Sequence, residues 1–390
     1  MRVLRSKVVA GAVVALASLL GTPTVADADV APPAQVRSNF ENYYGAKLVR
    51  DCGYSEPVPG NASQSFWLFC DTAVHDWAGN LTNFIAGTTA ARGPATRGLV
   101  PQGLTEMTRP PAPLPTMPSN VGPAQFLPTP TGVLNRNGTA CQNQYDGSGR
   151  LTEAQYPASW ASGMATIPGT TRYLITYRDV CVQAGWVFTI KRFGMVEYTP
   201  STNTLSNDRK VFSVGGGASL PVQQQLGSPV FYGTDLHLYT SVCDATSLGA
   251  CTTGRIFQAR VPSAQRTTAS SYRWRNGTNW VSTPGSATSI VNGARPVEVH
   301  VDDYGSVGRG IVIAESTSIG GHYRLWRAAN PTATYTASVE RQLPGCTPPA
   351  GVTDICHAFV GHPDLSTTSN AALTYYAVED QHVRMAVAPW

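Results

Sequence analysis

Apolar and polar positions alternate along most of this chain with the period of strands, and the helical period is nearly absent. One pattern recurs: a short apolar strand, a polar turn, then a second strand. The first strands fall at Trp67–Thr72, Tyr173–Asp179, Asp235–Asp244, Gly310–Thr317 and Ala372–Asp380. Their partners fall at Leu81–Ala86, Phe193–Tyr198, Arg255–Pro262, Tyr323–Pro331 and His382–Trp390. The first strands start 106, 62, 75 and 62 residues apart. The long first gap contains a Pro-rich stretch without periodicity, about residues 93–137, expected to form a loop over one face. Five strand-rich units, none able to bury both of its faces alone, predict radial repetition: an all-β, single five-bladed β-propeller. A two-sheet sandwich would be overfilled by this many strands. The chain ends inside a strand, so closing the ring is expected to recruit the segment near Tyr43–Val49 to the last blade.

Ahead of the repeats, residues 1–28 have the form of a secretory signal: Arg2, Arg5 and Lys7, the apolar run Val8–Leu20, then Ala26-Asp27-Ala28. The run is short for a membrane span, and no later apolar stretch is longer. A propeller over residues 29–390, secreted to the cell exterior or wall, monomeric and without membrane insertion, is the expected product. Without the signal, 25 cations face 23 anions, a balance that gives no reason to expect nucleic acid as a partner. All eight cysteines follow the signal, and an even number in an exported chain predicts disulfides. Cys243/Cys251 and Cys346/Cys356 are local pairs, and Cys52/Cys70 with Cys141/Cys181 would complete the set.

The chemistry is concentrated at residues 51–72. Pro59, Gly60, Asn61 and Ser63 form a turn between strand-like flanks. With Asn61 at the centre, facing residues have numbers that sum to 122, which sets Asp51 opposite Asp71 and Cys52 opposite Cys70. Directly opposed residues share a face of the sheet with Cβ atoms roughly 4.5–5.5 Å apart. Two carboxylates that close would hold one proton to higher pH, and an acid beside a base is what glycosidic bond cleavage needs. A one-residue slip would separate them, leaving two solvated acids at the open end of an ordinary hairpin.

Other groups are less distinctive. Glu197, in an apolar strand, is either an outward-facing residue or a third carboxylate reaching the channel; Asp179 is a solvated turn residue or another channel acid. His357, His362 and Asp364 surround a Pro-containing turn and read as hydrogen-bonding caps rather than metal ligands. No Cys-x-x-Cys, nucleophile elbow, zinc-protease, Walker or dinucleotide motif occurs, so no metal or cofactor is expected.

The run Asp51-x-Gly53-Tyr54-Ser55-x-Pro57, followed by Trp67-Leu68-Phe69-x-Asp71-Thr72, resembles the opening blade of a family of five-bladed propeller glycoside hydrolases, the endo-D-arabinanases. The segment Gly361-His362-Pro363-Asp364-Leu365-Ser366 is similar to the last-blade motif of propeller glycosidases. The resemblance implies an exported hydrolase of arabinofuranose-containing polysaccharide, with Asp51 and Asp71 the catalytic pair. His362 and Asp364, with Glu197 and Asp179, are then the expected substrate-binding groups. Cys52 and Cys70 depart from the family pattern, in which Gly usually precedes the second Asp. The alternative is a non-catalytic secreted propeller that binds surface glycan or a protein.

Overall fold

The computed structural model describes residues 32–390 except 185–186, 214–224, 227, 248–249, 292–293, 295–297, 319, 345 and 347–355. The expected signal segment lies outside the described residues. Five antiparallel sheets follow one another along the chain and form the blades of a β-propeller. Their inner strands are Lys47–Val58, Gln155–Thr166, Gln225–Leu226 with Val230–Tyr232, Glu298–Asp303 and Cys356–Gly361. All five precede the strand predicted to open each unit, so the predicted pairs form the middle of blades 2 to 5; in blade 1 the middle pair is Asn61–His75 with Thr89–Pro94, and Leu81–Ile85 is a side branch.

Alternation dictates the packing. Each twisted sheet turns one face to the preceding blade and one to the next, and both are apolar. Phe66, Leu68, Tyr173 and Tyr198 fill the seam between blades 1 and 2. Leu236, Leu238 and Trp274 meet Phe193 and Met195 between blades 2 and 3. Val301, Ile313 and Trp326 pack with Tyr239 and Ile256 between blades 3 and 4, and Phe359 and Tyr375 with Tyr323 between blades 4 and 5. The last seam joins Trp67 and Phe69 of blade 1 to Val383 and Met385 of blade 5.

Ring closure differs from the expectation. The strand that completes blade 5 is Ala34–Gln35, paired with Met385 and Arg384, while Asn39–Tyr44 is a short helix and Lys47–Val49 belong to blade 1. Ser38 and Glu41 form a capping box, a local signal that removes this segment from the sheet. The Pro-rich stretch is not all loop either. Thr105–Glu106 is the outer strand of blade 1, and Phe126 wedges against Phe66 and Tyr198 at the blade 1–2 seam.

Disulfides join Cys52 to Cys70, Cys141 to Cys181 and Cys346 to Cys356. Cys243 is also disulfide-bonded, and the side chain of its expected partner Cys251 lies outside the described residues.

Closure by so short a strand makes a testable demand. Val36 is 2% exposed in the blade 5–1 seam, and its N–H donates to the Val383 carbonyl at 2.9 Å. Burial of a valine side chain contributes roughly 1.5–3 kcal/mol. Val36→Asp should therefore lower the thermal midpoint by several degrees in a melting experiment, whereas Arg37→Ala, on the exposed side, should leave it near the parent value.

Candidate active site at one mouth of the channel

The first hairpin carries the site. Its register obeys the sum of 122 from Lys47↔His75 to Arg50↔Thr72, and again from Tyr54↔Leu68 to Pro57↔Ser65. Between these stretches Cys52 faces Phe69, and Asp51, Gly53, Cys70 and Asp71 have no ladder partner. Asp51 and Asp71 are thus not directly opposed. Cys52 takes a left-handed φ of 65° and Gly53 one of 104°. At Gly53 a Cβ would also stand 3.3 Å from Val383 and 3.4 Å from Thr374, so glycine is required twice over. The Cys52–Cys70 disulfide bridges the break, with Cα atoms 5.5 Å apart. Bulges re-aim side chains. Here they turn the two acids toward different neighbouring blades.

Asp71 points to blade 2. Its Oδ1 accepts from the Trp160 indole N–H at 2.8 Å and the Gly87 N–H at 2.5 Å, and its Oδ2 from the Tyr156 hydroxyl at 2.6 Å. Those donors favour the ionised form. Burial opposes them and prevails, with the charge of Asp51 adding to it, and the Asp71 carboxyl is pushed up to about 7. Asp51 points to blade 5, where its Oδ2 lies 3.8 Å from His357 Nε2. Its Oδ1 is buried without a hydrogen-bond partner among the described residues. Asp51 borders a cavity of about 40 Å3, also lined by Tyr54, Trp160, Arg178, Glu298 and the Cys52–Cys70 bridge. Such a volume suits water rather than a sugar ring, which would have to lie across the mouth.

Glu298 is a candidate site residue that the sequence did not single out, and it lines the same cavity as Asp51. It opens the inner strand of blade 4, and its Oε2 accepts from the Phe359 N–H at 2.7 Å. Burial raises its carboxyl, His357 and Arg178 pull it down, and Asp51 raises it further. A signal was present: in Glu298-Val299-His300-Val301-Asp302, polar residues alternate with β-branched ones. Such alternation marks a strand with one apolar face and one polar face, here the channel. Deeper down, the His300 ring lies 5.5 Å from that of Tyr54 and burial lowers its pKa to about 3. Lower still, Glu56 and Asp302 are both pushed well up by burial and by other acids.

The remaining predicted residues lie elsewhere. His362 is buried between Ser55 Oγ and Thr374 Oγ1, each at 2.7 Å, and burial holds it well below its usual pKa. Asp364 accepts from Ser55 at 2.8 Å and Ser65 at 2.5 Å. Both sit at the blade 5–1 seam near Ser55, on the order of 10 Å along the strand from Asp51. Asp179 is buried against Ser159 at 2.8 Å, Arg192 at 3.1 Å and Lys210 at 3.5 Å. Glu197 is buried between Arg172 and Arg266, tying blade 2 to the chain that follows the third strand of blade 3. Neither adjoins the Asp51 cavity. Among the described residues, the one group with metal-ligand spacing is Asp51, Cys52 and Cys70, and its sulfurs are oxidised to a disulfide, which does not fit a metal centre.

The raised Asp71 carboxyl makes stability pH-dependent in a definite sense. Its protonated form is favoured by the fold, so that contribution is complete below about 4, the ordinary carboxylate value, and is lost as pH rises through about 7. Asp71→Asn cannot ionise. The difference in melting temperature between variant and parent should therefore shift in the variant's favour between pH 4 and pH 8; a constant difference would contradict the assignment.

No family model matches the chain, and no curated protein matches it in sequence. Among solved structures, it is similar to a family 117 glycoside hydrolase produced by the marine bacterium Zobellia galactanivorans, at TM-score 0.45 and 8% identity over 91% of this chain and 89% of that one. It is also similar to a family 43 β-xylosidase/α-arabinofuranosidase from a compost microbial metagenome (TM-score 0.43, 8% identity, 92% and 93% covered). A family 43 arabinoxylan arabinofuranohydrolase from Bacillus subtilis gives TM-score 0.45 and 10% identity, with 87% of this chain and 62% of that one covered.

Proposed function

We propose that the protein is an exported glycoside hydrolase acting on arabinofuranose-containing polysaccharide, with Asp51 and Asp71 as its working pair. The observation that carries this reading is a carboxyl held near neutrality by burial, Asp71, electrostatically coupled to a second acid at an open channel mouth. A general acid works best with a pKa near the working pH. Asp71 donates its proton to the leaving glycosidic oxygen, and Tyr156, Trp160 and Gly87 then hold the carboxylate that remains. Asp51, which lines the cavity and whose Oδ1 has no hydrogen-bond partner among the described residues, attacks the anomeric carbon or activates a water. Trp160 offers an indole already oriented by Asp71, against which a sugar ring can lie. The substrate class rests on the sequence resemblance at residues 51–72.

A second assignment of the acid has its own support, because Glu298 shares the cavity with Asp51 while Asp71 stands behind Trp160. Incubation with arabinan, arabinogalactan and lipoarabinomannan, followed by oligosaccharide analysis, tests both the activity and the assignment. The parent should release oligosaccharides with a rate that falls above about pH 7. Asp51→Asn and Asp71→Asn should each lose at least about a hundredfold in turnover. Loss in Glu298→Gln with activity kept in Asp71→Asn would transfer the acid role to Glu298. Binding without product from any polymer would leave a glycan-binding propeller instead.

A further inference from the structure

Three strongly exposed aromatic side chains stand at the same end of the first hairpin as Asp51. Tyr43 is 70% exposed, Tyr44 55% and Trp77 84%. The helix Asn39–Tyr44 leads into Lys47, and Trp77 follows His75; Lys47 and His75 are paired at the end of the first hairpin. Asp51 and Asp71 lie four residues inside that end, about 13 Å along the strands. Tyr43 and Tyr44 meet with ring centroids 4.7 Å apart. Beside them, the helix cap Gly45 abuts Trp77, whose Cβ lies 3.8 Å from where a Cβ at Gly45 would stand.

The turn that carries Trp77 is held by hydrogen bonds. Its turn is fastened by Asp76 Oδ1, which accepts from Ala78 N at 2.9 Å and Asn80 N at 2.8 Å. Asp76 N donates to the Asn80 carbonyl at 2.9 Å, and His75 Nδ1 contacts the Gly79 carbonyl at 3.0 Å. A rigid turn that holds an indole in water forgoes the burial of a large apolar surface. On its far side Tyr43 borders a shallow cleft of about 380 Å3, completed by Asn39, Asn42, Pro118, Ser119 and Asn120. None of these is charged. The Asn42 and Asn120 amides have no side-chain hydrogen-bond partner among the described residues. Within this cleft, a ring face beside free amides and a hydroxyl, with no charged side chain in the lining, fits a neutral polyhydroxylated chain. Such a lining does not fit an anionic membrane surface or a nucleic acid, each of which calls for cations.

We propose that Tyr43, Tyr44 and Trp77, with the Asn42/Asn120 cleft, form an outlying platform that binds neutral polysaccharide several sugars away from the Asp51 mouth. The occupant rests on the glycan reading given above, but the platform does not depend on catalysis. It is tested with Trp77→Ala, Tyr43→Ala and the double variant, made in the signal-free chain and checked for an unchanged melting temperature. Retention on arabinan and arabinogalactan in affinity electrophoresis should weaken roughly tenfold in the double variant. Where hydrolysis occurs, KM for the polymer should rise, while turnover of a small aryl arabinofuranoside stays at the parent level. Parent-like retention by the double variant, or failure of the parent to bind either polymer, overturns the platform. Weakening seen only with phosphatidylcholine vesicles also overturns it, in favour of a lipid surface. Retention that depends on these residues in a protein that cleaves nothing would keep the platform and remove the hydrolase.

Discussion

The site depends on a break in a ladder. An unbroken first hairpin would set Asp51 and Asp71 side by side, each competing for the same solvent-facing space. Instead the ladder is regular above and below, and fails for a few residues where Cys52 and Gly53 adopt left-handed conformations. Such a break is a weak point in an isolated hairpin. Here it is held from both sides, by the Cys52–Cys70 bridge within the blade and by Val383 and Thr374 of the last blade packed against Gly53. The last blade is itself completed by Ala34–Gln35, which closes the ring beside that position. Ring closure, bridge and bulge therefore act as one device, and what it fixes is the direction in which two carboxyl groups point.

Charge distribution sets this mouth apart from the rest of the molecule. The buried acids of the molecule differ in access and in counter-charge, whether they face the channel or lie within the blades. Glu56 and Asp302 lie deep, and their neighbours only add to the cost of ionising them. Glu197 and Asp179 are neutralised by pairs of cations, which suits them to joining strands and blades. Asp71 lies between these extremes, with enough burial to raise it and enough donors to hold it when ionised. Asp51 and Glu298 share the water-sized cavity beside it. That intermediate state is the one acid–base catalysis uses.

Much of the fold could be read from the sequence, because a period of two and turn residues report locally on strands. The number of blades followed from the spacing of five apolar strands. Inner strands such as Glu298–Asp303 escaped because channel-facing positions are polar, so the apolar signal that marks a strand is halved there. The closing strand escaped because two residues, Ala34 and Gln35, carry no pattern at all. At the site, the hairpin register was legible on either side of the acids. It was not legible at the acids, since a bulge depends on a disulfide and on side chains more than three hundred residues away. Glu298 was brought to the cavity by the ring, and nothing near it in sequence pairs it with Asp51. The same holds for His362 and Asp364, whose motif was visible but whose partners, Ser55 and Ser65, place them at a blade seam.

The central claim is that a glycosidic bond is held across the mouth between Asp51 and the wall formed by Trp160 and Asp71. A crystal structure of the Asp51→Asn variant with a bound arabinofuranosyl oligosaccharide tests it most directly. A sugar ring should lie against Trp160, with a glycosidic oxygen within hydrogen-bonding reach of the Asp71 or Glu298 carboxyl and the anomeric carbon facing residue 51. An oligosaccharide bound only at the opposite end, near Asp364 and Glu56, or one whose linkages approach none of these carboxyl groups, would contradict it.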